Sequence, residues 1–254
     1  MATYVLVGGA WLGAWAWHDV TCSLRARGHD VHPVTLTGLG DRVHLGRPDV
    51  DLDTHITDVV NTMAYADLRD VVLVGHSYSG LVVTGVAGRT PERLAQLVYL
   101  DTGPLPPGQA LIAFSPPPER ERLRRVVEEQ GDGWRLPPPR FEDLGTPAAT
   151  AGLNGAHRAL FEARATPQPF RTWTQPLADA APEPPPYRRA VVLAGGFDLT
   201  AGRLRELIAA GSSPWAHLFG APDWEFEELA TGHWPMLSMP RELSALLDRR
   251  GGPA

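Results

Sequence analysis

The chain has 254 residues, 43% of them hydrophobic, enough for one large globular domain with room for an inserted subdomain. Its formal charge of −6 argues against a nucleic-acid partner, which would require a basic face, and no apolar run reaches membrane-spanning length. All 23 basic residues are arginine, a compositional bias that suggests a GC-rich bacterial source. The only cysteine, Cys22, excludes an intrachain disulfide, and its place in Val20-Thr21-Cys22-Ser23-Leu24 predicts a buried structural thiol. The chain shows no basic leader with a cleavage site, so a cytoplasmic protein is expected.

In chain order, Tyr4 to Val7 reads as a short apolar strand, followed by the loop Gly8-Gly9-Ala10-Trp11-Leu12-Gly13 and a helix that Gly28 ends. Val31 to Leu36 reads as a second strand, and Thr37 to Arg42 as a long surface loop. Asp51 to Ala66 has helical spacing, with Ile56, Val59, Val60 and Met63 on one face. Val71-Val72-Leu73-Val74 has the β-branched character of a buried parallel strand. It runs into Gly75-His76-Ser77-Tyr78-Ser79-Gly80 and then a helix rich in small residues. Leu97 to Asp101 is a further strand. The alternation predicts an α/β fold with a mostly parallel, doubly wound sheet.

The alternation stops at residues 103–187, where proline is too dense for a sheet interior. Glu119 to Gln130 and Ala156 to Ala165 read as helices, and Phe114, Trp134, Phe141, Phe161, Phe170 and Trp173 supply apolar material for a small core. We read this stretch as an inserted cap, with residues 1–102 and 188–254 forming the main domain. The sheet resumes at Ala190 to Ala194. A helix near Arg203 to Ala210, a last strand from Trp224 to Leu229 and a closing helix from Arg241 to Arg249 follow.

Strand, tight turn with serine at the apex, then helix is the setting of a nucleophile elbow. The common form is Gly-x-Ser-x-Gly; here Ser79 stands in the second glycine position. A serine hydroxyl attacks only if a base takes its proton, and the base needs a carboxylate to fix its tautomer. In this arrangement the chain order is Ser, Asp or Glu, His, each after a strand. Ser77, Asp198 and His233 fit. Asp101 also ends a strand and competes with Asp198, which the ordering is taken to favour; Asp101 is expected to be structural or to face the pocket. His217, before the last strand, reads as structural, and His76 is expected to point away from the nucleophile.

Two backbone N–H groups must receive the oxyanion: Tyr78, just after the nucleophile, and Ala10 in the loop after the first strand, where Gly9 lets the backbone approach closely. That loop lacks the glycine spacing of a dinucleotide site, the second strand ends without a ribose-binding acid, and the scattered histidines offer no metal-ligand spacing. The chemistry needs no cofactor or metal. Trp11 and the cap are expected to wall an apolar pocket for a small-molecule substrate, while Trp15 and Trp17 read as packing residues. A homodimer through exposed apolar surface is compatible with the residues without being demanded by them.

The chain resembles α/β-hydrolases of the plant methylesterase and hydroxynitrile lyase group and their bacterial esterase relatives. Val5-Leu6-Val7-Gly8-Gly9-Ala10-Trp11 with Gly13-Ala14-Trp15 carries the resemblance, as do Leu97 to Asp101 and Gly232-His233-Trp234-Pro235-Met236-Leu237-Ser238-Met239-Pro240. The resemblance implies an α/β-hydrolase fold and hydrolysis of small, largely apolar carboxylic esters. Within that group the lyases carry threonine at the position of Gly9 and lysine at that of Trp234, so both positions imply an esterase. Glycine at position 8 departs from the group's usual histidine, a loop-bracing residue, which bears on pocket geometry. The alternatives are a lyase, cyclase or lactone-processing enzyme using the same Ser/His pair, and a non-catalytic binding protein on the same fold.

Overall fold

The computed structural model describes residues 1–178, 181–195, 199–211, 218–219 and 223–251. Strands β1 (Thr3–Val7), β2 (Asp30–Val34), β3 (Val71–His76), β4 (Leu94–Leu100), β7 (Arg188–Leu193) and β8 (Trp224–Glu228) form one parallel sheet in the order β2-β1-β3-β4-β7-β8. Every residue of β3 is buried, as its unbroken apolar run requires. On one face lie helices α2 (Leu52–Tyr65) and α3 (Ser79–Arg89), packed over Val5, Leu73, Leu97 and Val191. On the other, α1 (His18–Ala26) and α9 (Pro240–Arg250) pack over Tyr4, Leu6, Val72 and Val98. Trp17 is fully buried in that second layer and Trp15 packs against it, so both are packing residues.

Helix α2 starts where its cap demands. Asp51 accepts the Thr54 N–H at 3.0 Å while the Thr54 hydroxyl receives the Asp51 N–H, a reciprocal box. Two expectations fail in this half. Cys22 is exposed, because it sits off the sheet-facing side of α1 marked by Val20, Thr21 and Leu24. The segment Thr37 to Arg42 is not a surface loop throughout: Gly38 and Leu39 are buried, Leu39 within the core that also holds α2.

Between β4 and β7, which are neighbours in the sheet, the chain makes a long excursion. It contains α4 (Pro117–Gln130), β5 (Arg135–Leu136), α5 (Gly155–Arg164), β6 (Gln168–Pro169) and α6 (Arg171–Thr174). Strands β5 and β6 pair antiparallel as a separate two-stranded sheet. Ile112, Leu123, Val127, Leu136 and Phe170 form its own small core. Short helices and a two-residue ribbon are what dense proline permits. After β7 come α7 (Ala201–Ala209), β8, α8 (Pro235–Ser238) and α9.

The crossing of β3 into α3 is close enough to require glycine. A Cβ on Gly75 would stand 2.6 Å from Val83 Cγ2 and 2.8 Å from the Ser79 carbonyl. Backbone and a β-branched neighbour leave no room to relax. Gly75→Ala should therefore lower unfolding free energy by about 2 kcal/mol or more, read as an earlier midpoint in urea; an unchanged midpoint would contradict this packing.

His55, on α2, is fully buried. Its Nε2–H donates to the Thr37 carbonyl at 2.8 Å, which leaves Nδ1 to accept the Tyr78 hydroxyl at 2.8 Å. Both nitrogens are used by the neutral ring, and burial pushes its pKa down from 6.5 to about 4. The Thr37 carbonyl and the Asp58 and Asp51 carboxylates oppose that shift, and Arg42 adds to it. Below pH 6.5 the unfolded chain takes up a proton that the fold refuses, so stability falls as pH drops from 6.5 towards 4. Denaturation midpoints across that window should fall more steeply for the wild type than for His55→Gln; parallel curves would refute the assignment.

Candidate active site

The sheet brings three chain segments together at the carboxyl ends of its strands. Ser77 follows β3 with φ of 52°, a left-handed conformation disfavoured for any residue with a Cβ. It is held there by its N–H, which donates to the Leu100 carbonyl at 3.2 Å, and by Gly80 N–H, which returns to the Ser77 carbonyl at 2.9 Å. The Ser77 hydroxyl meets His233 Nε2 at 2.8 Å. His233 Nδ1 meets Asp101 Oδ2 at 2.6 Å, and Asp101 is fully buried. The second oxygen of Asp101 accepts the Ala194 N–H at 2.7 Å. Serine, imidazole and carboxylate thus stand in one hydrogen-bonded line.

Asp198, the carboxylate that ordering favours, lies outside the described residues, as does His217. Its rival Asp101 is the described carboxylate on His233 Nδ1. Asp101 has φ of 47° and its N–H donates to Val192 at 2.7 Å, so it too sits in a forced turn at a strand end.

His76 lies against His233. Its ring centroid is 4.7 Å from that of His233, and its Nε2–H donates to the His233 carbonyl at 2.7 Å. Burial, and the neighbouring His233, hold its pKa well below the usual histidine value. The turn carrying His233 is fixed by residues of the excursion: the His233 N–H donates to Ala149 at 2.6 Å and that of Gly232 to Ala151 at 3.0 Å.

Ala10 and Tyr78 both line the cavity beside Ser77. Among the described residues no hydrogen bond takes up the N–H of Ala10 or of Tyr78, whereas those of Trp11, Leu12, Ser77 and Gly80 are all engaged. Gly9 must be glycine: a Cβ there would stand 2.7 Å from His76 Nδ1 and 3.0 Å from Ser77 Cβ. The serine in the motif's second glycine position has a use of its own. Buried Ser79 donates its hydroxyl to the Gly8 carbonyl, tying the elbow to the loop after β1.

Trp11 has φ of 64°, and its indole N–H donates to the Leu136 carbonyl of β5 at 3.2 Å. Trp234 is 6% exposed and stands edge-on to His233, ring centroids 4.8 Å apart. Both line a cavity of about 1060 Å³ that opens over Ser77 and His233, together with Leu111, Phe114, Leu123 and Trp173. Glu119 with Arg122, and Arg140 with Asp143, form ion pairs at its edge. Among the described residues no cluster of His, Cys, Asp and Glu could hold a metal ion, and no helix is long and apolar enough to cross a membrane. Local sequence gave no signal for the engagement of Trp11 by Gln168 or of Tyr78 by His55, since both join residues distant in the chain.

Comparison with known proteins agrees with this architecture. The chain is 36% identical over 260 residues to a carbendazim hydrolyzing esterase of Nocardioides sp. (strain SG-4G), covering 99% of this chain and 100% of that protein. It is 32% identical over 109 residues to methylesterase 8 of Arabidopsis thaliana, covering 38% of this chain and 36% of that protein. Among solved structures, an extracellular alpha/beta-hydrolase from a Paenibacillus species superposes over the full length of both chains with a TM-score of 0.81 at 21% identity. A family model described as alpha/beta hydrolase matches residues 4–246. With the parallel sheet, the serine elbow and this match in agreement, the chain belongs to the alpha/beta hydrolase family.

Proposed function

We propose that the protein hydrolyses carboxylic esters with a bulky, largely apolar body, through an acyl-enzyme on Ser77. The hydrogen-bonded line Ser77–His233–Asp101, at 2.8 and 2.6 Å, carries the reading. The esterase named among the full-length relatives supports it. His233 Nε2 takes the hydroxyl proton as Ser77 Oγ attacks the ester carbonyl. Asp101 accepts from Nδ1–H, which keeps the lone pair on Nε2 and stabilises the imidazolium that forms. The negative charge on the carbonyl oxygen is received by the free N–H groups of Ala10 and Tyr78. His233 then hands the proton to the leaving alcohol, and a water deprotonated by the same nitrogen releases the acid.

The substrate class follows from the walls. Leu111, Phe114, Leu123, Trp11, Trp173 and Trp234 give the cavity an apolar wall beside its charged residues, around a volume large enough for an aryl or extended alkyl group. Trp234, beside the base, offers no charge to an anionic leaving group, which favours hydrolysis over lyase chemistry. In this reading the excursion between β4 and β7 acts as the cap that closes the pocket.

The purified protein should turn over p-nitrophenyl esters, and Ser77→Ala should abolish turnover. Asp101→Asn should lower kcat by about 10³-fold or more, because an amide in that place stabilises the wrong imidazole tautomer. Asp198→Asn should cost far less; the reverse ranking would return the carboxylate role to Asp198, and turnover surviving in Ser77→Ala would end the proposal.

A further inference from the structure

The loop that offers the Ala10 N–H is held from outside the sheet. Trp11, the next residue, is engaged at each of its polar groups by the excursion. Its N–H donates to Gln168 Oε1 at 3.1 Å, its carbonyl accepts the Thr166 N–H at 3.1 Å, and its indole N–H reaches the Leu136 carbonyl. Leu136 and Gln168 face each other across the β5–β6 ribbon. These three bonds hold Trp11 in its left-handed conformation, which a residue with a Cβ keeps only where its surroundings fix it.

Gln168 is central to that clasp. It is fully buried, and both ends of its amide are used: Oε1 accepts from Trp11, and Nε2 donates to the Thr172 hydroxyl at 2.9 Å. A backbone N–H can only donate, so the orientation of the amide is fixed by its partner. Thr172, also fully buried, donates in turn to the Pro169 carbonyl at 2.6 Å and stands beside the Tyr78 phenol. That phenol donates to His55. Buried hydrogen bonds therefore link the Trp11 peptide through Gln168 and Thr172 to the Pro169 carbonyl, and Thr172 packs beside the Tyr78 side chain, so the clasp adjoins both of the free N–H groups beside Ser77.

We propose that Gln168 is a positioning residue for the oxyanion hole: by occupying the Trp11 N–H it sets the direction of the Ala10 N–H and keeps the two donors in register. The inference rests on the ester-hydrolase reading. It touches no substrate atom directly. Without the amide oxygen the half-buried Trp11 N–H loses its partner, and a loop under backbone strain turns to satisfy it. The Ala10 N–H then moves away from where charge develops, a loss felt in the transition state far more than in binding.

The test compares wild type with Gln168→Met, which keeps the length and removes the acceptor, and with Gln168→Glu, which restores an acceptor for Trp11. Gln168→Met should lower kcat by about ten- to a hundredfold while KM stays within about threefold, the pattern of an interaction made only in the transition state. Each enzyme is also assayed on a matched oxygen ester and thionoester, since sulfur accepts poorly from oxyanion-hole N–H groups. The wild type should discriminate strongly against the thionoester, Gln168→Met much less, and Gln168→Glu should recover part of both kcat and discrimination. Should Gln168→Met fail to fold, Thr172→Val, which frees the other end of the amide, carries the same comparison with a smaller loss. Unchanged discrimination, or a loss confined to KM, in a variant that melts like wild type would overturn the proposal. Turnover by Ser77→Ala in the same assay would instead overturn the ester-hydrolase reading on which it rests.

Discussion

Everything in the site depends on strands ending in turns that the backbone resists. Trp11, Ser77 and Asp101 follow β1, β3 and β4, three adjacent strands, and each has a Cβ yet a positive φ. Each such conformation costs of order 1–3 kcal/mol and persists only where its surroundings over-determine it. Ser77 is secured by the Leu100 carbonyl at the end of β4, and Asp101 by the Val192 carbonyl of β7. Each turn is thus pinned by the neighbouring strand, so the parallel order of the sheet is what makes the two turns possible. The reward is reach: strands pointing side by side would carry their final side chains away from one another, whereas the turned backbones let serine, carboxylate and imidazole meet.

Strand placement also explains why His233 and Asp101 pair. Asp101 ends β4, directly beside the elbow strand, and is buried with one oxygen consumed by the Ala194 N–H. Its other oxygen faces the imidazole. His233 comes from beyond β8, at the sheet edge, and must cross β7 to arrive. Its turn makes that crossing with backbone bonds to Ala149 and Ala151, and with its carbonyl on His76. Both oxygens of this buried carboxylate are engaged, one by the Ala194 N–H and one by the imidazole.

Much of this was legible in the residues. The run Val71 to Val74 could be little other than a buried strand, and the small residues about Ser77 announced a sharp turn into a helix. Ser77 and His233 followed from chemistry and order together. For the carboxylate, order favours Asp198, which lies outside the described residues, while the position of β4 beside β3, which no local sequence shows, brings Asp101 to the imidazole. Cys22 and Leu39 failed for a related reason. A helix face and a loop's depth are set by what packs on them, and neither Val20-Thr21-Cys22 nor Leu36-Thr37-Gly38-Leu39 carries that information locally.

Least legible was the part played by the excursion. Its prolines and scattered aromatics look like a lid, a surface laid over a finished site. Yet Thr166 and Gln168 hold the loop after β1, Ala149 and Ala151 hold the His233 turn, and Thr172 stands beside Tyr78, the residue after Ser77. Buried polar chains of this kind stabilise a single arrangement only when every member is satisfied, and a missing partner costs more than the bond itself returned. The same stretch also lines the cavity over Ser77, and its two tasks overlap at Trp173, whose ring packs against Trp11 at 5.9 Å between centroids, so the wall of the cavity and the loop after β1 are joined by packing as well as by hydrogen bonds.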